Sequence, residues 1–186
     1  MKFRDLAWGA FLYANQNRGT QGQTRYDSLV RDRAFLQRLQ DNPALDDFER
    51  LRDFLVHFGV RHAPKRLAQE QLNAWHQLKP HVERLSNERL ETSNLFDAGV
   101  VNAIKGAFGC LQWPTVWGGD TVASKVLHFF NVHLFMMWDG DIQSAYGVSS
   151  GPVGYLEFLR GMSAQAKEAL QDFGHLAVPG SPEVHL

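Results

Sequence analysis

Apolar residues recur at steps of three and four along most of this chain, and that spacing narrows the fold more than any single motif does. Leu29, Leu36 and Leu39 form one row; Phe48, Leu51, Phe54, Leu55 and Phe58 form a second; Leu72, Trp75, Leu78, Val82 and Leu85 form a third. Each row sets its large side chains on one face of an α-helix, a face that must be buried against another helix. Few segments alternate with the period of two that a half-buried strand requires, so the expected class is all-α. The 186 residues, 44% hydrophobic and 12% aromatic, suffice for one core. They predict a compact multi-helix domain over residues 1–175 and a flexible tail over 176–186. The tail contains Pro179-Gly180-Ser181-Pro182, which continues no helix.

Start and stop signals divide the rows. Asp27 and Ser28 stand where a second helix should begin, Asn42-Pro43 offer a cap and a first-turn proline to a third, and Gly59 closes it. The segment Asn15 to Thr24, rich in Asn, Gln, Gly and Thr, reads as a loop. Later helices are expected from Phe96 to Phe108, ending at Gly109, then from Asp120 to Phe130, then from Asp139 to Tyr146 with Asp139 as the cap. Gly147 to Gly151 reads as a loop, Pro152 fits the first turn of a helix reaching Arg160 or beyond, and Ala164 to Phe173 forms the last element.

The single cysteine, Cys110, forbids an intramolecular disulfide and a cysteine-based zinc cage, so the fold needs no oxidising compartment and a cytoplasmic location is expected. The opening Met1-Lys2-Phe3-Arg4-Asp5 leads into no signal-peptide core, and no eighteen apolar residues run together, so neither an export signal nor a membrane span is expected. A formal net charge of −1 hides an uneven split: residues 1–92 carry fifteen Lys and Arg against twelve Asp and Glu, residues 93–186 four against eight. The acidic back half counts against a strong electrostatic grip on duplex DNA. Arg61-His62-Ala63-Pro64-Lys65-Arg66 is the best candidate basic patch, though such a connector is commonly a solvated loop.

Eight histidines supply three pairs at one spacing, His57 with His62, His76 with His81 and His128 with His133. Five residues turn helical side chains about 140° apart, whereas a two-histidine helical site needs a separation of four, so neither a metal nor a cofactor is expected. Cys110, beside Gly109 in apolar surroundings, reads as a small buried hydrophobe rather than a nucleophile. No GxxxxGK[ST] or GxSxG occurs, and Gly118-Gly119 is too short for a dinucleotide fingerprint.

One stretch carries a more specific signal. Trp117-Gly118-Gly119-Asp120-Thr121-Val122-Ala123-Ser124-Lys125 opens a helix that ends at Phe130, and Leu134-Phe135-Met136-Met137-Trp138-Asp139 is an apolar run closing on an aspartate at the next helix start. Over about residues 115–147 this arrangement resembles the helix-hairpin-helix DNA glycosylase superfamily, with Gly119, Ala123 and Asp139 matching the family pattern. The hairpin, Thr115-Val116-Trp117-Gly118-Gly119, departs from the usual Leu-Pro-Gly-Val-Gly, and Thr121 stands where bifunctional members carry a lysine.

The resemblance implies a DNA glycosylase-like protein acting on damaged duplex DNA by monofunctional hydrolysis. Asp139 would be the catalytic carboxylate beside the sugar of an extruded nucleotide, stabilising the positive charge that develops or activating the attacking water. Trp117, Thr121, Lys125 and Trp138 would face the substrate, the tryptophans as stacking surfaces, and the amides of Gly118 and Gly119 would hold the DNA backbone. Lys125, one turn beyond Thr121, would be placed to reach Asp139. One cysteine excludes the iron-sulfur cluster of some members. The alternative is a non-catalytic helical binding or scaffold module sharing only the architecture. Asp139 is then an N-cap worth about 1 kcal/mol, and the tryptophans belong to the core.

Overall fold

A computed structural model describes residues 21–58, 60, 66–112 and 119–176. Among the described residues it contains eight helices and no strand, so the chain is all-helical: α1 (Gln21–Arg31), α2 (Arg33–Asp41), α3 (Leu45–His57), α4 (Arg66–Arg84), α5 (Ala98–Leu111), α6 (Gly119–Phe130), α7 (Gly140–Tyr146) and α8 (Gly151–Leu176). None of the described helices is long and apolar enough to cross a membrane.

The second and third rows lie on α3 and α4 as the spacing predicts, but the first is divided, Leu29 on α1 and Leu36 and Leu39 on α2, and several boundaries differ. Asp27 and Ser28 lie inside α1, and the cap of the next helix is Asp32, whose carboxylate accepts from Phe35 N at 2.9 Å. Gln21 to Thr24 are helical rather than loop, and the remainder of that expected loop lies outside the described residues. Asn42 ends α2 instead of starting α3, which begins after Ala44. There the third helical residue, Asp47, reaches back so that its Oδ2 accepts from Ala44 N at 3.1 Å. This is half of a capping box supplied without a capping side chain. α5 runs through Gly109, and the two expected C-terminal helices are one continuous α8 with Pro152 in its first turn. Asp139 caps α7 as expected, and Gly147 ends it in the left-handed region at φ 62°, where glycine is unstrained. Gly59 and the tail beyond Leu176 lie outside the described residues.

The largest helix pairing is α4 with α5, and α5 also packs on α6 and α8 while α3 packs on α4. α6 touches α2, α3 and α5, so it is enclosed, and every residue from Val122 to Phe130 is buried. A helix apolar around most of its circumference belongs at the centre of a bundle. Two aromatic groups flank it. Tyr26, Phe54, Phe58 and Phe129 gather at one side, and Phe108, Trp138, Tyr155 and Phe158 at the other. The buried apolar residues, Ala169 apart, form one continuous cluster.

Candidate functional site

Because α6 is buried along its length, its polar side chains must find partners inside the protein. Ser124 Oγ donates to Trp138 O and accepts from Trp138 N, both at 3.1 Å. This pins the end of the apolar run, and with it Asp139, against α6. Lys125 Nζ donates to Phe58 O at 2.7 Å and stands 5.0 Å from the centroid of the Phe58 ring. Burial pushes the Lys125 amine below the ordinary lysine range, and the negative charge of Asp139 opposes that shift. His128 Nδ1 donates to Phe135 O at 2.6 Å, since a carbonyl only accepts, which leaves Nε2 to accept from the Tyr26 hydroxyl at 2.9 Å. Burial lowers its pKa, the bond to Phe135 works the other way, and the nearby His133 adds to the lowering.

Just past α6, Asn131 uses all of its amide. Its Nδ2 donates to Leu85 O and Glu88 O, both at 2.8 Å, and its Oδ1 accepts from His133 N at 3.0 Å and Leu134 N at 3.1 Å. At the other end of α6, Asp120 accepts from Gln112 Nε2 at 2.8 Å and from Gly151 N at 2.7 Å, tying α5 to the start of α8. Both ends of α6, and the segment that returns to Asp139, are thus fixed by hydrogen bonds of long sequence separation.

Asp139 is half-buried. Its Oδ1 accepts from Ile142 N at 3.0 Å, and its other oxygen makes no hydrogen bond among the described residues. No ion pair joins it to Lys125; the two interact through space while the ammonium is held by Phe58. Together they form a carboxylate with one free oxygen in the field of an interior amine, a combination suited to meeting positive charge or polarising a water molecule.

The other expected site residues are placed less uniformly. Thr121 is half-buried one turn before Lys125, and Gly119 is the first residue of α6. Trp117 and Gly118 lie outside the described residues. Trp138 is 1% exposed, with its indole N–H donating to Asp120 O at 3.3 Å and its ring enclosed by Phe108, Tyr155 and Phe158. In this conformation it offers no face to a stacked base. His76 and His133 are exposed, His81 rests against Gly106, His128 is buried, and His62 lies outside the described residues. Burial raises the Cys110 thiol.

The sequence marks Phe58 only as a core position and does not mark Tyr26 or Asn131 as site residues. Phe58 and Tyr26 act through partners 67 and 102 residues away, which no local pattern encodes. A polar residue inside an otherwise apolar run is the one signal that marks Ser124. Compared with known families, curated proteins and solved structures, the chain matches none.

Proposed function

We propose that the protein is a helix-hairpin-helix DNA glycosylase-like enzyme that hydrolyses the N-glycosidic bond of an extruded nucleotide, with Asp139 as its reacting carboxylate. The observation that carries this reading is Asp139 itself: a carboxylate pinned at the end of an apolar run, one oxygen spent on the helix and the other without a hydrogen bond among the described residues, acting on the buried Lys125. In the reaction the bond from C1′ to the base breaks, the base leaves with the electron pair and takes up a proton, and water adds to C1′. The free oxygen of Asp139 would stabilise the positive charge at the sugar or draw the proton from that water. Lys125 orients the carboxylate electrostatically; Thr121, at the position of the bifunctional lysine, leaves only the hydrolytic route.

The test begins with fluorescence anisotropy on a duplex carrying an abasic-site analogue beside an undamaged duplex, at two salt concentrations. Preferential, salt-sensitive binding to the analogue is expected, followed by base release from a panel of damaged duplexes. Asp139→Asn keeps the cap and removes the charge, so it should lower base release by about 100-fold or more while unfolding stays within about 1 kcal/mol of the parent. No binding to either duplex at low salt, together with no base release, overturns the proposal.

A second reading, the non-catalytic module, draws on a specific observation: Asp139 caps α7 and Trp138 is part of the core, roles that need no chemistry. On that reading Asp139→Ser, which preserves a cap, leaves stability unchanged and costs no base release.

A further inference from the structure

We propose that a second groove, between the turn before α5 and the middle of α8, binds a free nucleoside monophosphate. It is separate from Lys125 and Asp139 and shares no residue with them. The groove encloses about 420 Å³ and is lined by Thr92, Asn94, Phe96, Arg160, Ser163 and Lys167, among others. That volume lies in the range of small-molecule sites and admits one nucleotide.

Its central feature is Phe96, whose 75% exposure is unusual for so large an apolar side chain. The ring is held out by a fixed turn. Leu95 beside it is buried, Asn94 Oδ1 accepts from Phe96 N at 3.1 Å, and Ser163 Oγ donates to Leu90 O at 2.6 Å, fastening the preceding segment to α8. The Arg160 guanidinium lies 4.3 Å from the Phe96 ring centroid and is anchored by Nε donating to Leu95 O at 3.1 Å. Its two terminal nitrogens, and the amine of Lys167, have no hydrogen bond or ion pair among the described residues. In contrast, Arg38, Arg84 and Arg89 are each paired with a carboxylate.

Arg160, Ser163, Ala164 and Lys167 follow the spacing of one helical face, so the two cations flank a small residue that leaves room between them. A flat ring can stack on Phe96 while a phosphate meets Arg160 and Lys167. The surroundings favour a single phosphate over a strand. Asp97, Glu157 and Glu168 are exposed and adjoin the groove along the chain. Their charge opposes phosphates continuing beyond the first.

Calorimetric titration of the full chain at low salt tests this, with adenosine 5′-monophosphate, adenosine, ribose 5-phosphate, inorganic phosphate and an eight-residue oligoadenylate as probes. The monophosphate should bind, and adenosine and ribose 5-phosphate should each bind at least about tenfold more weakly, one lacking the anion and the other the ring. Phe96→Ala and Lys167→Gln alter exposed side chains and should each weaken the monophosphate by about tenfold with unfolding unchanged. Asp139→Asn should not affect it, which separates this site from the proposed reaction. The inference is overturned by no binding of the monophosphate at millimolar concentration, by binding that both variants leave intact, or by ribose 5-phosphate binding equally well. Oligoadenylate binding far more tightly through the same residues would identify a strand surface and overturn the mononucleotide assignment.

Discussion

The two halves of the molecule keep their polar groups in different ways. From α1 to α4 the charged side chains lie mostly at the surface, where Arg25 pairs with Asp53 and Arg50 with Asp32, over a core of apolar ridges; Asp47 is the buried exception, held by Arg38 and by the main chain at Ala44. From the turn before α5 onward, Ser93, Ser124, Lys125, His128, Asn131 and Ser163 are buried, and each is bonded to a main-chain group. Apolar ridges accept many sequences of suitable size, whereas a buried donor accepts only a partner at one distance and angle. The second half is therefore the part whose backbone is specified most closely, and it is the half that carries Asp139.

That contrast is broken most severely at Asn131. Asn131→Ala removes the donors to Leu85 and Glu88 and the acceptor for His133 and Leu134; Leu85 O and Leu134 N keep main-chain partners, whereas Glu88 O and His133 N lose theirs, and the turn that these bonds close is released. A loss of about 2 to 4 kcal/mol is expected in denaturant unfolding, chiefly from hydrogen bonds each worth about 1 kcal/mol. Asn131→Asp, which keeps the acceptor but turns a carboxylate toward two carbonyls, should be no better. A loss below about 1 kcal/mol would show that the second half is not held by these bonds.

His128 gives the contrast a pH dependence. Its folded-state pKa lies below the ordinary 6.5 because burial disfavours the charged ring. As pH falls through 6.5 the unfolded chain takes up a proton that the folded chain resists, so stability declines until the pH passes below the folded-state value. One group contributes at most about 1.4 kcal/mol per pH unit. His128→Asn, whose amide can still donate to Phe135 O, should show a shallower decline between pH 7 and pH 5 than the parent. Equal slopes would mean that the ring titrates as it does in the unfolded chain.

The same contrast explains what the sequence reveals. A helical period is a local property, so the rows through Phe48, Leu51, Phe54 and Leu78 identify helices whose buried faces are where the spacing puts them, whereas in the first row Leu36 is only half-buried and the adjacent Phe35 takes the core position. Caps are less distinct, because Asp27, Asp32 and Asn42 all have capping chemistry, and which one caps depends on the amides within reach of the side chain. Asp139 was legible as a cap because a long apolar run ends there. The placement of Lys125 was not, since Phe58 holds it from across the fold, and neither was the enclosure of Trp138, which depends on Phe108, Tyr155 and Phe158 converging from other helices.

Gln71 is a second exception within the first half. It is 3% exposed, and among the described residues neither its Oε1 nor its Nε2 has a hydrogen-bond partner. An amide buried on these terms carries its desolvation penalty without compensation, so Gln71→Leu should raise stability by about 1 to 2 kcal/mol. A loss on that substitution would show that the amide is satisfied in solution, and the first half would then resemble the second.

The smallest effect is expected at Arg25 and Asp53, whose side chains are 53% and 41% exposed around a 2.9 Å ion pair. Water screens both charges, and ordering two long side chains opposes the remaining attraction, so Arg25→Ala should change stability by less than about 1 kcal/mol. The effect should also fade as salt is raised, whereas the Asn131 loss should persist, because hydrogen bonds between buried neutral groups are not screened by ions. If the Arg25 effect survived high salt, the first half would be held by more than apolar packing, and the difference between the halves would be one of degree.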